Sequence, residues 1–289
     1  SGSADSYSCG GIKLLSRPSS DGIHIVNSNF TRTKTCDKDG IGTILFEQNE
    51  VTQPEDKLFI EYCTFTEVFG ESIDIFTHQG ESSGLITIAG CQFVECTNSA
   101  PNEWGRAIAI GTPIPVFGSK TYNQRIGFDI HECSFIKCRS QVGFYSFLIS
   151  IELCRDDNHP ELYTPVSITD CNFEFDTNEN LINNGHITPT DSYAHCAIYF
   201  AHRLQDNLFI SNCTFRNCYG NINDQYSQLV YETNTIYTIS VKDLHINNCS
   251  FYDCGYDHTS QTINSNGNLI AAKGVNEILL LFCQHHLDL

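Results

Sequence analysis

The chain has 289 residues, 40% of them hydrophobic and 17% charged, which is enough apolar matter for a large core and too much for a disordered segment. Acidic side chains number 34 against 16 basic ones, and the formal net charge of −18 repels phosphate backbones, so nucleic acid is not expected as a partner. No apolar run approaches the roughly 18 residues needed to cross a bilayer, and no membrane span is expected in this segment.

The opening Ser1-Gly2-Ser3 and the absence of Met suggest a processed or excised segment of a longer chain. From Ile23 onward one phrase recurs: apolar, any, apolar, two residues, Cys, any, Phe. Its first copy, Ile23 to Phe30, has Ser28 in the Cys place. Leu58-Phe-Ile60-Glu-Tyr-Cys63-Thr-Phe65 follows, then Ile86-Thr-Ile88-Ala-Gly-Cys91-Gln-Phe93 and Phe128-Asp-Ile130-His-Glu-Cys133-Ser-Phe135. Val166 to Phe173, Leu208 to Phe215 and Leu244 to Phe251 repeat it. The last copy begins at Ile278, keeps Cys283 and has His285 in place of Phe. Successive copies lie 28 to 42 residues apart.

The period of two inside each copy predicts strands, and the break in parity before the Cys predicts a corner. Before the Cys place stand Asn27, Tyr62, Gly90, Glu132, Asp170, Asn212 and Asn248. Most of these are residues that tolerate a left-handed backbone, as a tight two-residue turn demands. A third strand is expected in every coil but the last, at Ile44–Phe46, Ile73–Ile75, Ile108–Ile110, Ile149–Ile151, Ile198–Phe200, Leu229–Tyr231 and Leu269–Ala271. Three short strands per repeat cannot bury an apolar face alone, so the coils must stack. The expected fold is all-β: a right-handed parallel β-helix of about eight coils, a single domain over residues 1–289. Cys63, Cys91, Cys133, Cys171 and Cys213 should form an interior column beside a column of Phe.

These residues resemble the pectate-lyase-like β-helix superfamily, in which an Ile, an Asn corner and a second apolar strand recur per coil. More narrowly, Phe215-Arg-Asn-Cys218 and Phe93-Val-Glu-Cys96, with Gly105-Arg-Ala-Ile108, resemble repeats of polymorphic outer-membrane-type surface proteins. Here Cys replaces the family's Asn at positions 96, 138, 218 and 254, and the double Gly is not kept. The resemblance implies surface display or adhesion. Its motifs specify coils and carry no chemistry.

The 15 Cys are an odd count, so complete internal pairing is ruled out. Column Cys read as small buried hydrophobes, whereas Cys9, Cys36, Cys154 and Cys196 lie off the columns and are candidates for loop staples. The recurring C-x4-C spacing is too long on an extended strand for one metal site, and neither a metal nor a cofactor is expected. N-x-S/T sequons at Asn29, Asn212 and Asn248 favour an extracellular or cell-surface location.

A polysaccharide lyase or hydrolase on this fold needs outward carboxylates on one sheet. On the third strands the expected outward positions are Leu45, Asp74, Ala109, Ser150, Tyr199, Val230 and Ile270, with Glu152 and Glu232 one step further along. Asp74, Glu152 and Glu232 are therefore the candidate catalytic residues of an enzymatic alternative. The primary reading is a non-enzymatic surface solenoid whose insertions, Gly111 to Ile126 and Asp176 to Cys196, bind a glycan or protein ligand.

Overall fold

Each phrase folds as its parity demands: alternating apolar residues make one strand, the residue before the Cys turns the chain, and the Phe centres a second strand. The computed structural model describes residues 11–15, 22–33, 43–47, 56–76, 81–96, 105–111, 123–138, 145–152, 166–177, 193–201, 207–218, 220–221, 234–239, 241–254, 269–273, 275 and 277–286. The first sheet contains Ile23–Val26, Asp56–Glu61, Glu81–Ala89, Asn123–His131, Val166–Thr169, Asn207–Ser211, Asp243–Asn247 and Glu277–Leu281. The second contains Asn29–Thr31, Thr64–Thr66, Gln92–Val94, Ser134–Cys138, Asn172–Phe175, Thr214–Arg216, Ser250–Tyr252 and Gln284–His286. The third contains Ile12–Leu15, Ile44–Glu47, Ile73–Phe76, Gly105–Gly111, Tyr145–Glu152, Tyr193–Ala201, Ile236–Ile239 and Ile270–Lys273.

Within each sheet every strand pairs in parallel with the equivalent strand of the next coil, for example Ile130 with Ile168 and Phe135 with Phe173. Among the described residues the one antiparallel partner is the short Gly220–Asn221, against Tyr193 and Ala194. The chain is a parallel β-helix, and no described residue is helical.

Stacking turns the repeat into columns. Phe30, Phe65, Phe93, Phe135, Phe173, Phe215 and Phe251 pile up with ring centroids 4.6–5.0 Å apart and planes within 10° of parallel. Each such pair is worth about 0.5–1.5 kcal/mol beyond the apolar area it buries. Ile60, Ile88, Ile130, Ile168, Ile210 and Ile246 form a fully buried column on the neighbouring wall.

The predicted corner is present in all eight coils, with φ between 49° and 60° from Asn27 to Asn248 and 53° at Phe282. A second left-handed corner, which composition hid, follows the Phe strand at Arg32, Glu67, Glu95, Lys137, Asn217 and Asp253. It explains the C-x4-C spacing: in the coils that carry it an inward Cys follows each of the two corners, so Cys91 and Cys96 lie at opposite ends of one short strand.

The structure corrects several third-strand expectations. In the sixth coil the strand that pairs with Tyr193–Ala201 is Ile236–Ile239, with Ile198 opposite Ile236, and Leu229–Tyr231 lies outside the described residues. In the seventh coil the register shifts by one: Ile270 pairs with Ile236 and packs on the core, leaving Ala271 outward. A strand at Ile12–Leu15, ahead of the first phrase, adds a row the repeat count missed.

The insertions are shorter than the spacing suggested. One strand ends at Gly111 and the next begins at Asn123; Asp176 is buried, and Tyr193 already begins a strand. Residues 112–122 and 178–192, like Trp104, Cys9, Cys36 and Cys154, lie outside the described residues.

Candidate functional site

The enzymatic alternative requires the outer face of the third sheet to be an open, solvent-facing strip. Six consecutive outward side chains of this face are instead buried: Leu45, Asp74, Ala109, Ser150, Tyr199 and Tyr237 are all at most 7% exposed, while Lys13 and Ala271 at the two ends of the row are exposed and half-buried. Phe147, Cys196, Tyr199 and Tyr237 pack there as a second apolar cluster, separate from the core inside the coils. The Phe147 and Tyr199 rings lie 4.6 Å apart, and those of Tyr199 and Tyr237 5.7 Å.

Of the three candidate carboxylates, the structure describes the side chain of Asp74 and the backbone of Glu152. Asp74 pairs in register with Leu45 on one side and Ala109 on the other. Glu152 ends its strand opposite Gly111 and Ala201, two coils away from the row of Asp74. Glu232 lies outside the described residues, and Tyr237 holds the outward position that was assigned to Val230. Ser150 Oγ is buried on this face with no hydrogen-bond partner, between Ala109 and Tyr199.

The cysteines are built into the coil interior. All 12 described Cys are free thiols, and 11 of them are buried. In the first column each thiol donates to a carbonyl of the preceding coil: Cys91 to Ile60 at 3.4 Å, Cys133 to Ile88 at 3.4 Å, Cys213 to Ile168 at 3.6 Å. Each also reaches the carbonyl two residues back in its own coil, as Cys171 does to Thr169 at 3.1 Å. A corner needs a side chain small enough to fit inside and able to offer a weak donor, and a thiol supplies both. The neighbouring Cys133 thiol and burial push Cys91 up to about 12, and Cys63 is raised by Cys91 and by burial. Cys196 was expected to be a loop staple; it is a buried strand residue, its thiol 3.3 Å from Ile198 O. Among the described residues, no three His, Cys, Asp or Glu side chains are grouped to hold a metal ion.

Two outer surfaces remain. On the first sheet the His24 and Phe59 rings stack at 4.5 Å and those of Phe209 and His245 at 4.8 Å, while Ser167 donates to Asp129 at 2.8 Å. On the second sheet the outward residue before each ladder aromatic forms a column in register: Asn29, Thr64, Gln92, Ser134, Asn172, Thr214, Ser250 and Gln284. None is charged, none is apolar, and all are exposed or half-buried. In the sequence this column is the residue between Cys and Phe of each copy, whose polar, uncharged character carries no catalytic signal.

No described helix is long and apolar enough to cross a membrane. Compared with known proteins, the chain matches no family model, no curated protein and no solved structure.

Proposed function

We propose that this chain is a non-enzymatic, secreted or surface-displayed β-helix that binds a glycan or protein ligand. The observation that carries this reading is the buried outer face of the third sheet, where Leu45, Ala109, Ser150, Tyr199 and Tyr237 stand in place of an open acidic groove. Hydrolysis of a glycosidic bond takes two carboxyl groups about 5–10 Å apart with room for substrate between them. At that central outward position, among the described coils, Asp74 is the carboxylate, and it is 6% exposed. Stacked Phe and Cys columns make a stiff rod, and a stiff rod suits presentation because little order is lost when it binds. The sequons at Asn29, Asn212 and Asn248 support an extracellular home.

The test is an array of glycans and proteins probed with the purified chain, followed by a reducing-end assay on every glycan hit. Saturable binding without turnover is expected. Turnover abolished by Asp74→Asn, Glu152→Gln or Glu232→Gln would replace this reading with a carbohydrate-active enzyme. The absence of any saturable ligand would reduce the chain to a spacer.

A further inference from the structure

We propose that the outer face of the second sheet is a track for an extended, uncharged polysaccharide; this rests on the binding reading and moves the contact from the inserted segments to the sheet. Eight successive coils place an Asn, Gln, Ser or Thr at the same outward position, from Asn29 to Gln284. Every one of these side chains carries both a donor and an acceptor, so each can meet a sugar hydroxyl in either orientation. Coils repeat at about 4.8 Å, so the column spans roughly 34 Å, the length of a chain of several sugar rings.

Charge selects the class of polymer. The molecule carries a net charge of −18, and this column contributes none of it. An anionic polysaccharide approaching the rod meets repulsion from the surrounding acids, whereas a neutral one does not. The next outward position toward the second corner adds apolar surface at mid-length, with Val94 and Ile136 half-buried. Further along, the Arg216 guanidinium lies 4.1 Å over the Tyr252 ring. Hydroxyl-pairing groups beside C–H-contacting patches are what a pyranose ring, polar at its rim and apolar on its faces, requires.

The face is also held rigid from within. Behind the column the Phe rings stay within 10° of parallel through seven coils. Outward neighbours on the same short strands are thereby fixed in spacing before any ligand arrives, which lowers the ordering cost of many weak contacts.

The test measures retention of the chain on cellulose and chitin powders, with polygalacturonate-coated beads as the anionic comparison. Retention on a neutral powder and little on polygalacturonate is expected. The triple variant Thr64→Glu, Ser134→Glu, Thr214→Glu should lower bound protein at least tenfold with the thermal midpoint unchanged. Should that variant fail to fold, Gln92→Ala with Asn172→Ala is the second probe, expected to lower retention several-fold. No retention on either neutral powder overturns the track, as does retention that ignores these substitutions. A dimer that dissociates in the Glu variant would assign the face to a second copy and also overturn it. If deletion of 178–192 abolishes binding while the column substitutions do not, the track fails but the binding reading stands. Only the absence of any saturable ligand on the broad array removes both.

Discussion

Asn248 donates its side-chain amide to Oδ1 of Asn212 at 2.9 Å, and Asn212 passes the same bond on to Asp170 at 3.0 Å. These residues also hold left-handed backbones, with φ of 49°, 54° and 54°. Asn248→Ala loses the amide link and keeps a Cβ without the local side-chain hydrogen bonding that lets Asn adopt a left-handed conformation, which otherwise costs about 1–2 kcal/mol. Asn248→Gly keeps the backbone and loses only the link. Urea unfolding should show Ala lower by about 1–2 kcal/mol and Gly closer to the parent. Equal losses would mean that backbone handedness does not govern this corner.

Gly90 occupies the same corner two coils before Asp170, and the Tyr62 ring lies directly against it. A Cβ on Gly90 would stand 2.6 Å from Cδ1 of that ring, at a φ of 60°. Gly90→Ala is therefore expected to destabilise more than the left-handed backbone alone requires. Adding Tyr62→Ala should recover the steric part and leave about 1 kcal/mol, the lower end of the cost of that backbone. A double-mutant cycle in urea measures the coupling; a value near zero would show that the ring moves aside freely.

The Phe column predicts a graded cost of truncation. Phe135 is fully buried between Phe93 and Phe173, with centroids at 4.6 and 5.0 Å. Phe135→Ala should cost about 3–5 kcal/mol. Phe30, at the end of the column and only half-buried, should cost clearly less on the same substitution. Similar losses at both positions would contradict a column stabilised by neighbours on two sides.

What the sequence revealed follows from which positions the packing constrains. The Ile, Cys and Phe places face the coil interior, where volume and polarity are tightly limited, so their period survived insertions of any length. The second corner stayed hidden because Arg32, Glu67, Glu95 and Lys137 are ordinary surface residues whose left-handed φ leaves little compositional trace. The third strand was misplaced in the sixth coil because Leu229–Tyr231 alternates as well as Ile236–Ile239 does, and only pairing with Ile198 distinguishes them. That slip gave Glu232 a place beside Ala201, two coils from Glu152, on a strand whose position the register gives to Ile236–Ile239. Burial of Leu45 and Ser150 on an outward face could not be read locally, since alternation reports which side a residue takes and says nothing of what covers that side.

Thiol chemistry gives a pH-dependent prediction. Cys63 is held above the ordinary value of 9.0 by the Cys91 thiol and burial, and Cys91 by the Cys133 thiol and burial. The folded state thus favours the neutral thiol, and its advantage is intact below about pH 9. It is lost as pH rises toward the folded value of about 12 for Cys91. The thermal midpoint should fall steadily across that window. Among the described thiols, native labelling at pH 8 should modify Cys283, which is half-buried, and spare the 11 buried ones. Labelling of Cys133 without unfolding, read by peptide mass mapping, would refute the assignment.

The inward phrase recurs at every coil while the distance to the next copy ranges from 28 to 42 residues. Coil length and coil phase are thus decoupled: Ile60 faces Ile88 across one of the shortest spacings, and Ile88 faces Ile130 across one of the longest, in the same alignment. A whole coil is therefore an interchangeable cassette. Excising residues 86–127, from one phrase to the start of the next, would bring Ile130 against Ile60 and Phe135 against Phe65, shortening the rod by one rung while keeping every remaining interface of the same kind.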